Sequence, residues 1–489
     1  MFANYRSLRL ATGFILVILT VAGLCPQLFA EETASASAST SASTYKAPAY
    51  QVLRQNENWS GLAAQDNNSG GDLFDSIKFI PLNDDGSFWI SFGGQVRFRA
   101  EAWDNFGFGA PANDSDVYPL TRFFYHTDMH FGSHVRLFVE GKSAFVNDRN
   151  LPGGSRTLEE DKIALQNAFV EFSFAFSDDR KFSFRAGRQE LLFGKQRLVS
   201  PLNWANTRRT FDGFSSTVKI EGWSLTGFWT RPVVVRQSSF NKNDPNTDFY
   251  GVYAAGYLPS TKVKLDVYWL GLNKEAATFN GTSGSGNRQT VGARVAGKIP
   301  DTAFDYDLES AFQFGEIGAD NIGAYMVASQ FGHTFADVRA TPRVYLGFDY
   351  ASGDDTAGGK VGTFSHLFPL GHAYMGFIDT VARQNIVDLN PGVAFKPFKK
   401  LSAAVAWHKF WRADTDDALY NAGAKVVRAG AAGTSSDVGS ELDLTLKYKF
   451  DRHTVLVVGF NHFFAGDFIR ESGSSQGVNF GYLTLQYTF

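Results

Sequence analysis

Four arginines lie close together in one stretch of the chain, GRQELLFGKQRLVSPLNWANTRRTFDG, residues 187–213. They are Arg188, Arg197, Arg208 and Arg209. A guanidinium group stays charged at physiological pH and can bind a carboxylate through two parallel hydrogen bonds. Burying it without a partner is costly, and a lipid-facing position near the membrane midplane costs roughly 2–4 kcal/mol. The stretch therefore predicts cations that face water, protein or an anionic ligand.

The elements around this stretch alternate between apolar and charged residues. In QVRFRAE, residues 95–101, Val96 and Phe98 share one face while Arg97, Arg99 and Glu101 share the other. The same pattern recurs in HVRLFVEGK (134–142), FSFRAG (182–187) and ELDLTLKYKF (441–450). A soluble β-sandwich also alternates. Here, however, charges of both signs stand opposite a purely apolar face in strand after strand, which favours a lipid-facing wall around a polar lumen.

Composition supports the same class. The chain has 489 residues, of which 15% are aromatic and 48 are glycine, with a mean hydropathy of -0.18. Beyond residue 30 no apolar run is long enough for a membrane helix. We predict an all-β fold, a transmembrane antiparallel up-and-down β-barrel of about 16–18 strands. A secreted β-sandwich or propeller remains the alternative.

The N-terminal region predicts four segments. Basic residues followed by an apolar run predict a signal peptide over residues 1–30, which contains the single cysteine, Cys25. Residues 31–49 are rich in Ala, Ser and Thr and predict a flexible leader. Residues 50–87 predict a segment that is periplasmic or docked at the barrel, and residues 88–489 predict the barrel itself.

Loop lengths and the C-terminus give the barrel an orientation. Polar stretches predict long outer loops at 147–162, 236–248, 273–289, 351–363, 412–440 and 466–478. Short turns such as 177–181 and 450–452 suit the periplasmic rim. The closing GYLTLQYTF, which ends on Phe489, resembles the signal by which outer-membrane barrels meet their assembly machinery. This places the predicted protein in a bacterial outer membrane, in contact with its lipid.

The alternation along the predicted strands gives, by itself, a first set of residues that should face the lumen. Arginines on the charged faces of predicted strands should line a wet interior rather than meet lipid. These are Arg97, Arg99, Arg122, Arg136, Arg185 and Arg343. Rings of arginine are a known way for pores to select anions. A net charge of -3 shows that the chain as a whole is not basic. This predicts no nucleic-acid partner, and any anion route requires cations concentrated inside.

Several long motifs resemble the alginate export family of outer-membrane porins. They are YQVLRQNENWSGL (50–62), IKFIPLNDDGSFWISFGGQVRFRAEAW (78–103), the arginine-rich stretch with SPLNWANTRRTFDG, and the FDYASGDD and TFSHLFPLGHAYMGFIDTVARQN motifs. The resemblance implies a monomeric barrel for passive export of an anionic, alginate-like polysaccharide through an arginine-lined pore. By the same resemblance it adds Arg188, Arg208, Arg209, Asp212, Asp349 and Arg383 to the candidate site. A periplasmic export partner would fit such a role.

Other functions remain open at this point. Uptake of small acidic sugars or organic acids would need the same inward arginines. An outer-membrane enzyme or a plugged adhesin is less favoured, because no catalytic motif stands out. His126, Asp128 and His130 alternate on one predicted strand and read as ordinary lumen groups rather than metal ligands. The acidic loop at Asp354 leaves Ca²⁺ binding open. We therefore predict no enzyme, no metal and no cofactor.

Overall fold

The structure is a computed structural model that describes residues 47–64, 71–356 and 358–489. The predicted signal peptide, and the predicted leader up to residue 46, lie outside the described residues. Within the described residues no helix is long and apolar enough to cross a membrane. The regular structure there consists almost entirely of β-strands.

The described residues form eighteen long strands in one antiparallel sheet. In chain order the first nine are β1 (Phe88–Asp104), β2 (Asp116–Phe131), β3 (Val135–Val146), β4 (Asp161–Ser177), β5 (Arg180–Gln189), β6 (Phe211–Ile220), β7 (Trp223–Val234), β8 (Thr247–Tyr257) and β9 (Lys264–Phe279). The other nine are β10 (Thr282–Lys298), β11 (Phe304–Ile317), β12 (Asp320–Thr334), β13 (Arg343–Ala351), β14 (Ile386–Phe398), β15 (Leu401–Trp411), β16 (Asp437–Lys449), β17 (Thr454–Ala465) and β18 (Val478–Thr488).

Each long strand pairs with its neighbours in sequence, and β18 pairs back to β1 from Gln95↔Thr488 to Asp104↔Asn479. The sheet is therefore a closed cylinder without a free edge, as a sheet inside hydrocarbon must be. The predicted fold class is confirmed, with a strand count at the upper end of the expected range. Short additional strands are Ile80–Pro81, Lys242–Asn243, Leu419–Tyr420 and Val426–Arg428.

Alternation along each strand separates an apolar outside from a polar inside. On β1 the side chain of Phe98 is 41% exposed, whereas its neighbour Arg97 is 3% exposed. On β2 the exposed Phe123 alternates with the fully buried Arg122. Because successive side chains point to opposite faces of a strand, the exposed aromatic face meets lipid and the charged face points inward.

The two rims differ in the length of their connections. One rim carries the long loops 105–115, 147–160, 190–210, 235–246, 352–385, 412–436 and 466–477. The other carries the turns 132–134, 178–179, 221–222, 258–263, 299–303, 335–342, 399–400 and 450–453, together with the start of β1 and the end of β18. Long loops mark the outer rim of a bacterial barrel. We call the two rims the long-loop rim and the short-turn rim.

The predicted loop at 273–289 is wrong. Strands β9 and β10 continue through this region and meet at a two-residue turn, Asn280-Gly281, where Phe279 pairs with Thr282. Asn280 and Gly281 both have positive φ, 37° and 85°, as the tight hairpin turn favoured by Asn-Gly requires. The small polar residues in this region are accommodated because cross-strand partners supply their backbone hydrogen bonds.

Two of the long loops fold into the barrel and pair with each other. The Ser200 amide donates to the Phe368 carbonyl at 2.9 Å, and the Phe368 amide donates to the Leu198 carbonyl at 2.9 Å. The Arg209 guanidinium donates to the same Phe368 carbonyl at 2.6 Å. Val199 and Phe364 on these loops belong to the main buried apolar cluster. The hydrophobic core therefore lies inside the cylinder, where loops 190–210 and 352–385 pack on the wall.

Residues of the N-terminal segment, 50–64 and 71–87, contact the barrel at the short-turn rim and within the lumen. Arg54 donates to the Gly94 carbonyl at 2.9 Å and to the Phe489 carbonyl at 2.8 Å. It also forms a buried ion pair with Glu57 at 2.6 Å. Further in, the Val52 carbonyl accepts a hydrogen bond from Arg208 at 2.9 Å. The segment thus joins both ends of the closed sheet to an infolded loop.

Candidate functional site

A group of arginines in the middle of the lumen holds loop 190–210 in place. Arg97 donates to the carbonyls of Asn203 at 2.9 Å and Ala205 at 2.8 Å. Arg122 donates to the same Ala205 carbonyl at 2.9 Å and to the Gln95 side chain at 2.6 Å. Both guanidinium groups are buried. These guanidinium groups donate hydrogen bonds to backbone carbonyl oxygens that would otherwise lack partners inside the barrel.

Arg99 extends this group toward the long-loop rim. Its guanidinium lies 3.7 Å from the ring centroid of Trp204 and donates to the Trp204 carbonyl at 2.8 Å. The other side of the loop is fixed by a stack of Trp204 on His372, with centroids 3.6 Å apart. Because His372 belongs to loop 352–385, one tryptophan connects the barrel wall to both infolded loops. Trp204 also lines a cavity of about 190 Å³, which we call the outer cavity.

Arg208 connects the loop to a buried acid. Its Nε lies 2.7 Å from Glu190 Oε1, and Glu190 also accepts hydrogen bonds from Gln166 at 2.8 Å and Asn167 at 3.1 Å. A buried charge of this kind is tolerated because it is paired and hydrogen-bonded. Together with its bond to Val52, this makes Arg208 the contact between the mid-lumen arginines and the N-terminal segment.

A second and larger cavity opens between the N-terminal segment and the wall at the short-turn rim. This inner cavity has a volume of about 950 Å³. Its lining includes five cationic side chains, Arg136, Lys181, Arg185, Lys219 and Lys264, and three carboxylates, Glu57, Glu171 and Glu190. The cations exceed the acids by two, in a chain whose net charge is -3. Positive charge is therefore in excess at the inner cavity.

The two arginines of the inner cavity are paired with acids rather than with carbonyls. Arg136 binds both oxygens of Asp128, at 2.6 and 2.7 Å. Arg185 lies 2.6 Å from Glu171, which is also 3.8 Å from Arg136. Both guanidinium groups remain partly exposed to the cavity. Side-chain pairs of this kind can exchange one carboxylate for another.

The inner and outer cavities share no lining residue. Loop 190–210 takes part in both, through Leu191 and Phe193 on the inner side and Trp204 on the outer side. The loop therefore lies across the lumen between them.

Alternation places two of the expected residues on the outer face. Arg188 and Asp212 face each other across β5 and β6 and form an ion pair at 2.7 Å. Asp212 shares the face of Phe214, which is exposed to lipid. Arg188 correspondingly shares the face of Phe184 and Phe182, which precede it by four and six residues on β5.

The remaining expected residues lie on the opposite part of the wall. Arg383, on loop 352–385, is buried and pairs with Asp349 of β13 at 2.9 Å. Arg343, at the short-turn end of β13, contacts both oxygens of Asp305 in a partly exposed pair. The structure therefore does not gather the twelve expected residues into one site.

Sequence reasoning did not select the lysines of the inner cavity. Lys181 lies on the same, lumen-facing side of β5 as Arg185. Lys219 lies on the same side of β6 as Ser215 and Thr217. Their alternation is a signal that could have identified them. Arg197 of the arginine-rich stretch bridges Asp307 at 2.8 Å and Glu309 at 2.9 Å. That bridge joins residues more than a hundred positions apart, so no local pattern predicts it.

No group of three His, Cys, Asp or Glu side chains that could hold a metal ion is present in the part of the chain that the structure describes. His130 lies 3.1 Å from Asp128, which is bound by Arg136. His126 instead stacks on Phe138.

A closed eighteen-strand cylinder with an apolar exterior and a charged interior defines the protein as an outer-membrane channel. The family model for alginate export matches residues 88–482, and the chain belongs to this family. The resemblance seen in the sequence is confirmed. No curated protein sequence matches the chain.

Solved structures of Pseudomonas aeruginosa porins share the fold. OpdK with vanillate has 12% identity and a TM-score of 0.55 and covers 81% of this chain and 98% of its own. OccK2 (OpdF) with glucuronate has 13% identity and a TM-score of 0.52 and covers 81% of this chain and 98% of its own. OccK11 (OpdR) has 13% identity and a TM-score of 0.53 and covers 82% and 96%. Membership of the alginate export family, together with the closed barrel, places the chain in the bacterial outer membrane.

Proposed function

We propose that the channel exports an anionic, alginate-like polysaccharide passively and that the inner cavity receives the polymer. The observation that carries this proposal is the excess of cations in that cavity, set against the negative charge of the whole chain. A uronate polymer carries one carboxylate per sugar, and Arg136 and Arg185 can each bind a carboxylate in a bidentate manner. The lysines add point charges without fixed geometry.

Passage requires that the polymer be released as well as bound. Asp128 and Glu171 already occupy the two arginines, so an incoming carboxylate must compete with them. Ion pairs of a carboxylate with the exposed Lys181 and Lys219 are worth roughly 0–1 kcal/mol each. Many weak contacts of this size guide a chain without trapping it, as conduction through a selective pore requires.

The mid-lumen arginines have a different role in this proposal. Arg97, Arg99, Arg122, Arg208 and Arg209 position loop 190–210, and the polymer meets them only when the loop moves. Arg343 braces the wall and Arg383 fixes loop 352–385 through Asp349. Arg188 and Asp212 lie outside the polymer path.

The N-terminal segment is the second element that must move. Its Arg54 and Glu57 form a buried pair at the short-turn rim, and Val52 reaches Arg208 inside the lumen. We propose that residues 50–64 block the entrance at rest and withdraw during export. A periplasmic partner that delivers the polymer would then act on this segment.

A second candidate function is uptake of small acidic sugars or organic acids. The structures of OpdK with vanillate and of OccK2 with glucuronate favour it, because they show barrels of this fold with small organic acids. An inner cavity of about 950 Å³ also suits a ligand of that size. Neither candidate requires catalysis, and we propose that the chain is not an enzyme and acts as a monomer.

We further propose that Phe489 presents the barrel to its assembly machinery. In the folded chain its amide donates to the Gly94 carbonyl at 3.0 Å, and its ring lies 5.2 Å from that of Phe74. The residue is therefore engaged once the cylinder has closed.

Planar-bilayer recording of the full chain tests the proposed function. In a tenfold KCl gradient we expect a reversal potential of the sign that indicates anion selectivity, and soluble oligouronates should block the current. A neutral oligosaccharide of the same length is the control and should not block at the same concentration. Cation selectivity, or equal block of the current by the neutral oligosaccharide, would contradict the proposal. Block by monomeric glucuronate but not by longer oligomers would favour uptake.

Cysteine labelling tests the movement of the N-terminal segment. In a Cys25→Ser background, Gln55→Cys places a thiol on a buried side chain beside the inner cavity. We expect slow labelling by a charged thiol reagent that becomes faster when oligouronate is present. Asn58→Cys is the matched control because this residue is exposed, and its labelling should be fast in both conditions. Unchanged labelling of Gln55→Cys with polymer would show that the segment stays in place.

A further inference from the structure

Six lysines lie at the short-turn rim, each among the three residues of a long strand that are nearest to a short turn. They are Lys181 on β5, Lys219 on β6, Lys264 on β9, Lys298 on β10, and Lys447 and Lys449 on β16. We call this set the mouth lysines.

Alternation places the mouth lysines on the lumen side of the wall. The three on β5, β6 and β9 line the inner cavity. Lys298 lies four residues from the buried Arg294 on β10. On β16, Lys447 lies four residues from the buried Asp443. Residues an even number of positions apart share a face of a strand, so these lysines face inward as well. Because β11 to β15 and β17 to β4 separate β16 from the other lysine-bearing strands, the lysines lie on opposite sides of the mouth.

No carboxylate of the described residues lies within ion-pair distance of a mouth lysine. The lysines that form ion pairs there are Lys142, Lys162, Lys195 and Lys409. Five of the mouth lysines are exposed, and Lys264 is half-buried. Arg343, at the short-turn end of β13, differs because Asp305 neutralises it. The charges of the mouth lysines therefore act on the surrounding water over a Debye length of about 8 Å at physiological salt.

Two of the mouth lysines face each other directly. Lys181 pairs with Lys219 in the register of β5 and β6. Like charges directly opposite each other on a sheet are destabilising. A lysine that braces the wall would have an acid beside it, as Arg185 has Glu171. The arrangement therefore fits an anion that comes from outside the chain rather than a contact within the wall.

The chemistry of these groups suits attraction rather than firm binding. An ammonium group on a flexible stem attracts an anion without fixing its orientation, and an exposed ion pair is weak because water screens it. Uncompensated charge at the mouth of a cleft nevertheless raises association rates by about 10- to 1000-fold. On β5, Arg185 lies four residues further into the barrel than Lys181, or roughly 13 Å along the strand. An anion that reaches the mouth lysines next meets the acid-paired arginines.

We propose that the mouth lysines steer the anionic polymer from the periplasmic side into the inner cavity, and that they set the rate of its capture rather than the strength of its binding. The inference rests on the proposed function, because it takes the anionic polysaccharide as the ligand. It separates two steps of that function. The mouth lysines determine how often the polymer enters, and the arginines further in determine how long it stays.

Single-channel recording of the full chain in oriented planar bilayers measures the two steps separately. With an oligouronate on the short-turn side, the intervals between blocks give the association rate and the durations of the blocks give the dissociation rate. The variant Lys181→Gln/Lys219→Gln/Lys447→Gln/Lys449→Gln removes four charges. We expect its association rate to fall about tenfold at low salt, whereas the block duration stays within about twofold of its normal value. In 1 M salt, where the Debye length is about 3 Å, the two association rates should converge.

The matched control is Lys162→Gln/Lys242→Gln/Lys360→Gln/Lys425→Gln, which removes the same charge from exposed lysines near the long-loop rim. It should leave association from the short-turn side unchanged. Resistance to unfolding in SDS shows that each barrel is folded, and the mouth variant should be at least as resistant as the unmodified chain because it loses facing like charges.

Three results would overturn the inference alone. They are a shorter block at an unchanged association rate, an equal fall in the association rate of the control, and a loss of SDS resistance in the mouth variant, which would assign the lysines to the wall. Absence of any block of the unmodified channel would contradict the proposed function itself, and the inference with it.

Discussion

Arg97 and Arg122 in the middle of the lumen differ from Arg136 and Arg185 at the inner cavity in what they bind, although all four project from the same wall. Arg97 and Arg122 are buried and donate to backbone carbonyls of loop 190–210. Arg136 and Arg185 are partly exposed and bind carboxylate side chains. A carbonyl of a packed loop cannot leave without unfolding that loop, whereas a side-chain carboxylate can be exchanged.

This difference shows that an inward arginine is not by itself evidence for substrate binding. The partner decides: carbonyl-bound arginines stabilise the infolded loops, and acid-bound arginines beside a wet cavity remain available to an anion. The predictions below separate these two roles.

The largest effect is expected from Arg122→Ala. The substitution leaves the Ala205 carbonyl with one partner fewer and removes the contact to Gln95, at a cost of roughly 3 kcal/mol for buried charge-assisted hydrogen bonds. Loop 190–210 should leave its position, so single-channel conductance should rise several-fold and become noisy. Arg343→Ala, which breaks a partly exposed pair, is the control and should leave conductance unchanged. A quiet channel of normal conductance in Arg122→Ala would contradict the positioning role.

A smaller and different effect is expected from Arg136→Gln/Arg185→Gln. Conductance should stay near its normal value, because the loops keep their contacts, whereas the oligouronate concentration for half block should rise about tenfold, or about 1.4 kcal/mol. Reversal potentials and block curves in bilayers measure both. Arg180→Gln, at an exposed ion pair at the start of β5, should alter neither. If the double variant lost conductance but was still blocked at the normal oligouronate concentration, Arg136 and Arg185 would have a structural role instead.

The smallest effect concerns pH and the N-terminal segment. Burial and the nearby Arg54 guanidinium lower the pKa of Lys78 to about 7, while Lys78 Nζ donates to the Phe92 carbonyl. When the segment is undocked, the lysine regains its ordinary pKa and binds a proton more readily. Docking should therefore strengthen as pH rises above about 7 and reach its full value only above the ordinary lysine pKa.

The rate at which an uncharged thiol reagent labels Gln55→Cys measures this docking. The rate for Asn58→Cys corrects for the larger thiolate fraction at higher pH. We expect slower labelling at pH 9 than at pH 7. The variant Lys78→Met should remove the difference, because it removes the ammonium group that loses its proton on docking. A pH dependence that persists in Lys78→Met would assign it to another group.

Much of the fold could be predicted because strands alternate with a period of two, whereas helices repeat every 3.6 residues. The apolar and charged faces of β1, β3, β5 and β16 are those that the alternation in the sequence predicts, and the predicted closing strand is β18, which ends at Thr488, one residue before Phe489. The region 273–289 was misread because Asn, Gly and Ser are common in loops, and only pairing with neighbouring strands decides otherwise.

The site could be predicted less well, because its partners are distant in sequence. Alternation identified Arg97 and Arg122 as inward, yet nothing local shows that loop 190–210 returns to meet them. Arg188 and Asp212 belong to the predicted site only through the family resemblance. The alternation of Phe182 and Phe184, continued to residue 188, predicts that Arg188 faces outward. Lys181 and Lys219 have the same lumen-facing alternation, so the sequence contains the signal that identifies them.

Side-specific block of the unmodified channel tests the central claim most directly, since the claim is that the cationic inner cavity receives the polymer from the short-turn rim. An oligouronate is added to one side of an oriented bilayer and then to the other. We predict that half block needs about tenfold less oligouronate on the short-turn side, in keeping with contacts worth roughly 1.4 kcal/mol there. Equal block from both sides, or stronger block from the long-loop side, would contradict the account.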